Sequence, residues 1–425
     1  MKKTVLWILL APVALITGAL IISYGAGLSS DIKIGGAYDL GPVPDEVIQV
    51  QDHSEPLANA SVEMKELPGH DDLVFDVKSK IGYASGMDGW VWKLDFASGE
   101  AKRWVELPVN PAGMQFANSD RDRLLVCASR LGGEEYPPEA RVGLYEIEID
   151  SGEYKPLVLD LPELTDPGEP VVYAKDRQDA KPLSQLSGDN SRPFSLCNDL
   201  AVSSDGNRIY LTEPFRREDA AMGSGAVPEA IGLYPHGKLW MYDRGQNTIS
   251  LVLDGFTFID GILLEESGEP GAPAESSVIF TETTRFRMIR AFLTGEKAGQ
   301  YEVLQDNLPG LADGLERDSE GRIWTGIIKK RSGLINLVHA NPWLKPMLLG
   351  LPQALLPVSK ATGIMVFDPT GRQTLYFSMH DGSHIMDISV AVPMGDRIYL
   401  PTFKKSARGL YSIPLASFPT LEGNH

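Results

Sequence analysis

The chain has 425 residues, 43% hydrophobic and 23% charged, a balance close to that of soluble globular proteins and unlike a mostly disordered chain or a multi-span membrane protein. Lys plus Arg number 39 against 57 Asp plus Glu, a net charge of −18, which is the wrong sign for a surface that must neutralise phosphates, so no nucleic-acid partner is expected. Length leaves the domain count open, because closed all-β rings also reach this size as one unit.

Met-Lys-Lys opens the sequence, and from Thr4 to Tyr24 there follow 21 residues without a charge. At about 1.5 Å per residue a helix over them covers roughly 30 Å, the thickness of a bilayer's hydrocarbon core and more than a secretory apolar region needs. The expectation is an uncleaved signal anchor in residues 1–28, with the transmembrane helix at about 4–24. Lys2 and Lys3 stay in the cytoplasm, and the body lies outside it, periplasmic or extracellular/lumenal. Cleavage after the small residues Gly25, Ala26 and Gly27 is the alternative, and its product is a free secreted protein. Residues 29–59 carry Asp, Gly and Pro without apolar periodicity and read as a linker.

From residue 60 to about 418 one phrase recurs: a β-like run, a polar turn, a second run rich in aromatic and β-branched residues, then a third. The second run appears six times, as IGYAS at Ile81, LLVCAS at Leu124, RIYLTE at Arg208, VIFTE at Val278, RIWTG at Arg322 and RIYLPT at Arg397. Six short sheets, none able to bury both faces alone, predict an all-β, six-bladed β-propeller. A pair of β-sandwiches is the alternative, but it does not require six copies of one phrase. The segment ASVEMKEL at Ala60 is placed to supply the outer strand that closes the ring.

The first strand of each blade lines the channel of a propeller. Aligning the six copies puts Asp71, Gly113, Asn198, Asp260, Asp313 and His384 at comparable positions. Clustered carboxylates in a partly buried channel must take up protons or be balanced by a cation. Oxygen ligands from Asp and Asn suit a hard cation, Ca²⁺ more readily than Mg²⁺, with another divalent ion as the alternative. Against this stands the ordinary use of Asp and Asn at strand entrances, which is to cap turns. Cys127 and Cys197, the only cysteines, can be bonded or free; both lie in apolar strand-like runs and are expected to be two small buried hydrophobes. Three insertions are expected to decorate a channel mouth: 162–192, 216–234, and the apolar, Pro-punctuated 334–358 within blade five, read as short helices that form a lid, a membrane-surface contact or an entrance for apolar molecules, with plain packing against the propeller as the alternative.

The stretch VIFTETTRFRMIRAFLTGEKAGQYEVLQDNLPGLADGLERDSEGRIWTGI at Val278 resembles the strictosidine-synthase-like branch of the six-bladed propellers. That branch contains adipocyte plasma-membrane-associated protein and is related to gluconolactonases and paraoxonases. LDGFTFIDGILL at Leu253, CNDLAVSSDGNRIYLTE at Cys197 and NPWLKPMLLGLP at Asn341 are similar to the same group. The resemblance implies a channel calcium held by a Glu, two Asn and an Asp. Carried over by position, these are Asp71, Asn198, Asp260 and Asp313, so two of the four are changed. The alkaloid-forming members use a glutamate before the strand that resembles RIYLPT, whereas SVAVPMGDRIYLPT from Ser389 has none, which speaks against strictosidine synthase activity.

The implied activity is calcium-dependent hydrolysis of a small apolar ester or lactone, with His384 on the channel side and His380 nearby as the available imidazoles. The alternative is a non-catalytic propeller of the cell envelope that binds a ligand or an envelope protein.

Overall fold

The computed structural model describes residues 17–132, 136–217, 222–267, 275–418 and 421. The repeated runs form the second strands of six antiparallel blades, at Ile81–Gly86, Arg123–Ser129, Arg208–Glu213, Glu275–Glu282, Ile323–Lys330 and Arg397–Leu400. Each second strand pairs with an inner strand and with a third strand, and an outer strand completes the blade. The second strands are buried along nearly their whole length, whereas the outer strand Glu100–Glu106 is mostly exposed. A strand sandwiched between neighbouring blades is apolar on both faces, so a run such as LLVCAS lacks the alternation of a half-buried strand.

The core lies between blades rather than at the axis. Tyr83 and Val91 of blade one pack on Leu124 and Val126 of blade two, and Tyr210 and Leu239 of blade three pack on Val278 and Phe280 of blade four. Each such fully buried side chain contributes about 1.5–3 kcal/mol relative to exposure. The ring is closed as expected: Ser61–Pro68 forms the outer strand of blade six, with Ser61 opposite Ser412 and Val62 opposite Tyr411.

Two expectations differ from what is observed. Residues 29–59 are a packed strap rather than a free linker: Leu40 and Val47 are buried against blades four and five, and Gln51–Asp52 adds a parallel strand to the outer edge of blade five. The 162–192 insertion does not decorate the channel mouth. Its short strands Val171–Val172 and Lys181–Pro182 pair with the outer strand of blade three, Thr248–Phe256, because Gly255 with positive φ lets the backbone of Glu169 approach. Cys127 and Cys197, which the sequence leaves bonded or free, are both buried, as expected, and are joined by a disulfide; pairing depends on Cα separation across blades, which sequence spacing does not reveal. Most of the expected membrane span, 4–24, lies outside the described residues. Residues 17–28 are helical, and among the described residues no helix is long and apolar enough to cross a membrane.

Candidate metal and ligand site in the channel

The inner strands bring Asp71, Asn198, Asp260 and Asp313 from blades one, three, four and five to the wall of one cavity. Asn198, Asp260 and Asp313 are buried. Asn198 Nδ2 donates to Asp260 Oδ1, and Asp260 shares a hydrogen bond with Asp313. Close packing at this level depends on the glycine after each aspartate. A Cβ on Gly261 would meet the carbonyl oxygen of Asp313 at 2.3 Å, and one on Gly314 would meet Val390 at 2.9 Å. The Asp-Gly pairs therefore reflect neighbouring inner strands pressed together around the axis.

The position in blade six is filled by Ser389, not His384. Ser389 and Val390 line the cavity, and Gly314 N donates to Ser389 O at 3.0 Å. His384 is directed away from the channel: its Nε2 is 2.8 Å from Ala60 O and its ring lies edge-on to Tyr411. The displacement comes from residues 381–391, an irregular connection that offers no strand pattern by which to set the register. Gly113 lines the cavity as aligned, contributing backbone only.

A second tier of acids, Asp72, Asp199 and Glu316, lines the same channel and was not singled out from the sequence, although each lies one to three residues after a predicted channel residue. Asp72 Oδ2 accepts from Met114 N of blade two at 2.6 Å, and Asp199 Oδ2 accepts from Ile262 N of blade four at 3.2 Å. These two side chains thus clasp successive blades. Across both tiers no Lys, Arg or His lines the narrow part of the channel. Burial pushes Asp71 up to about 8, with Asp260 and Asp72 adding to the effect. Burial and then Asp72 push Glu316 up to about 8. Asp313 is driven well above the carboxylate range by burial and by Asp260. Asp260 is also raised by burial, although hydrogen bonds from Asp313 and Asn198 oppose the shift.

Among the described residues no three His, Cys, Asp or Glu side chains converge in the arrangement of a metal cluster. The upper set instead closes on itself through shared hydrogen bonds. Its donor chemistry is nevertheless that of a hard-cation site: three carboxylates and an amide, all oxygen ligands, with Lys329 of the chamber wall paired instead with Asp387. The residues therefore fit a calcium ion, with Asp71, Asn198, Asp260 and Asp313 as the groups able to hold it.

Above these acids the channel widens into a chamber of about 270 Å³. Its wall is mostly apolar and includes Met87, Leu131, Met222, Phe258, Leu311 and Phe403. Met222 belongs to the helix Met222–Gly232 of the 216–234 insertion, and Val358 ends the 334–358 insertion, so both insertions build this mouth as expected. The second of them contains the helices Gly333–Ala340 and Lys345–Leu349.

No family model matches the chain. Among curated proteins it is 30% identical over 181 residues to strictosidine synthase-like 13 of Arabidopsis thaliana, covering 43% of this chain and 42% of that protein. It is 29% identical over 176 residues to the human adipocyte plasma membrane-associated protein, covering 40% of this chain and 39% of that one. The chicken adipocyte plasma membrane-associated protein aligns over 326 residues at 24% identity, 75% of this chain and 69% of that one. The alignments with the plant and human proteins thus span less than half of either relative.

Among solved structures, a gluconolactonase from Xanthomonas campestris is similar in outline, with 14% identity, 90% of this chain and 98% of that chain covered, and a TM-score of 0.47. A luciferin-regenerating enzyme gives 11% identity, coverage of 84% and 95%, and a TM-score of 0.46. At these values the chemistry of neither neighbour transfers to this chain. The chain is a six-bladed β-propeller related in sequence to the strictosidine-synthase-like and adipocyte plasma membrane-associated proteins.

Proposed function

We propose that the protein is a calcium-dependent hydrolase of an apolar ester or lactone, held at a membrane with its body outside the cytoplasm. The observation that carries this reading is the meeting of Asp71, Asn198, Asp260 and Asp313, from four blades, at the floor of an apolar chamber. A bound calcium supplies positive charge at the oxygen of the scissile carbonyl. The chain's own residues do the rest. The chamber wall takes up the apolar part of the substrate and keeps bulk water from the acids, which strengthens every electrostatic interaction at the floor.

With Asn198, Asp260 and Asp313 holding the ion, Asp71 at the chamber floor is the carboxylate left to act as base. It takes a proton from water as the water oxygen bonds to the carbonyl carbon, and returns it to the departing alkoxide as the ester C–O bond breaks. His384 has no part in this step, since its imidazole is bonded to Ala60. The absence of a glutamate between Ser389 and Arg397 argues against amine–aldehyde condensation. The Cys127–Cys197 disulfide supports an oxidising compartment for the body.

The experiment is hydrolysis of a soluble aryl ester and of a medium-chain lactone by wild type and Asp313→Ala, with calcium and in chelator. A loss of about 100-fold or more in kcat/KM on chelation and in the variant is expected. Full activity in chelator would sink the mechanism. Hydrogen bonds that already pair Asn198, Asp260 and Asp313 favour a second reading, a binding module in which the floor is structural. In that case Asp313→Ala retains ligand binding while no ester is turned over by wild type.

A further inference from the structure

Exposed large hydrophobic side chains are concentrated on two touching segments. Leu337 (54% exposed), Trp343 (66%) and Leu355 (67%) lie on the 334–358 insertion, and Ile21 (67%) and Ile22 (75%) lie on the helix 17–28. Ser23 Oγ donates to Met347 O at 2.6 Å. Gly27 and Gly350 allow the two backbones to meet, since a Cβ on Gly27 would reach Pro346 O at 1.7 Å and one on Gly350 would reach Ser23 O at 1.8 Å. The end of the uncharged sequence 4–24 is therefore seated on the insertion.

The insertion is firmly built. The buried Lys345 ammonium donates to Gly232 O at 2.9 Å, tying the insertion to the helix of the other mouth insertion, and Tyr38 N of the strap donates to His339 O at 2.9 Å. A face held in this way can present its apolar residues without first being ordered.

Charge follows the same boundary. In a chain of net charge −18, no Asp or Glu occurs between Glu320 and Asp368, while Lys329, Lys330, Arg331, Lys345 and Lys360 do. Of these, Lys330 and Lys360 are exposed, whereas Lys345 is buried and Lys329 is paired with Asp387. A patch that is apolar, locally basic and adjacent to an uncharged segment long enough to span a bilayer matches a membrane surface carrying anionic headgroups.

A cavity of about 140 Å³ opens within this patch, walled by Leu334, Val358, His339 and Arg331. It shares Val227, Ala230, Thr284, Leu311, Lys329 and Val358 with the chamber above the channel acids. We infer that the insertion and the end of the helix 17–28 form one membrane-docking face, which holds the apolar entrance of the channel against the bilayer so that ligand enters from the lipid phase. This deepens the hydrolase reading by assigning its substrate class, an ester or lactone with an acyl chain that partitions into membranes. The docking face itself does not depend on that reading.

The test uses the full chain reconstituted in vesicles of phosphatidylcholine and phosphatidylglycerol containing lipids brominated at shallow acyl positions. The emission of Trp343, read as the difference between wild type and Trp343→Phe, is expected to be quenched, and the double variant Leu337→Asp/Leu355→Asp is expected to lose that quenching while still sedimenting with the vesicles. Unquenched Trp343 in vesicle-bound wild type, or a crosslinked dimer that covers Trp343, overturns the inference. In a second arm the double variant is expected to lower kcat/KM at least about tenfold for a long-chain ester embedded in vesicles and to leave a water-soluble ester unaffected. Equal effects on the two substrates overturn entry from the lipid phase. Wild type inactive on both substrates, with Trp343 quenched, overturns the hydrolase reading and leaves the docking face standing.

Discussion

Glu316 faces the channel three residues beyond Asp313, and its carboxyl is held near 8 by burial and by Asp72. A carboxyl raised above its unfolded value binds more protons in the folded chain. The stability it contributes is full below the unfolded pKa of about 4.5 and is lost as pH rises through 8. In chelator, Glu316→Gln is therefore expected to raise Tm at pH 8 by on the order of 2 °C and to leave it unchanged near pH 4.5, as read by differential scanning fluorimetry. His339 has the opposite sign. Burial, with Lys345 and Arg285 near it, pulls its imidazole down to about 3, so stability present above the unfolded value of about 6.5 falls as pH drops toward 3. His384→Ala removes the bond to Ala60 and the edge-on contact with Tyr411 and is expected to cost about 1 kcal/mol in urea melts, with turnover unchanged. Four of the five site residues predicted from the sequence line one cavity, because each stands at the same point of the repeat. His384 was misplaced because the approach to blade six has no strand periodicity to count from.

At the scale of elements, the disulfide joins the second strand of blade two to the segment leading into blade three and closes a loop with a sequence separation of 70. The chain-entropy model gives about 4 kcal/mol for such a loop. The double variant Cys127→Ser/Cys197→Ser is expected to lose stability of that order in denaturant melts, and an unchanged midpoint would mean that the blades are already held by packing alone. Second strands were legible from composition because both of their faces are buried between blades. Inner strands were not, because their channel-facing positions accept Asp, Asn, Gly or Ser equally well. The three-residue inner strand Leu200–Val202 shows how little apolar pattern remains there. Likewise the polar 162–192 insertion carries no signal that its strands would pair with blade three.

For the whole molecule, the channel acids couple the blades to whatever balances their charge. Elemental mass spectrometry on the purified full chain is expected to find calcium in stoichiometric amount. A ligand present at about 100 times its dissociation constant stabilises the fold by about 2.7 kcal/mol, so a thermal melt is expected to shift downward by several degrees on chelation. No metal and no shift would transfer the functional reading to the binding module.

The sequence by itself determined the six-fold repeat, the outer strand that closes the ring, and the acids Asp71, Asp260 and Asp313 as channel candidates, because periodic burial and the spacing of turns are local properties written residue by residue. Only the tertiary structure decided which of those acids share one cavity, that Ser389 rather than His384 stands in blade six, that Cys127 meets Cys197, and that the apolar insertion lies beside the N-terminal helix. Each of these depends on distances between segments tens to hundreds of residues apart, and such distances are set by the closing of the ring.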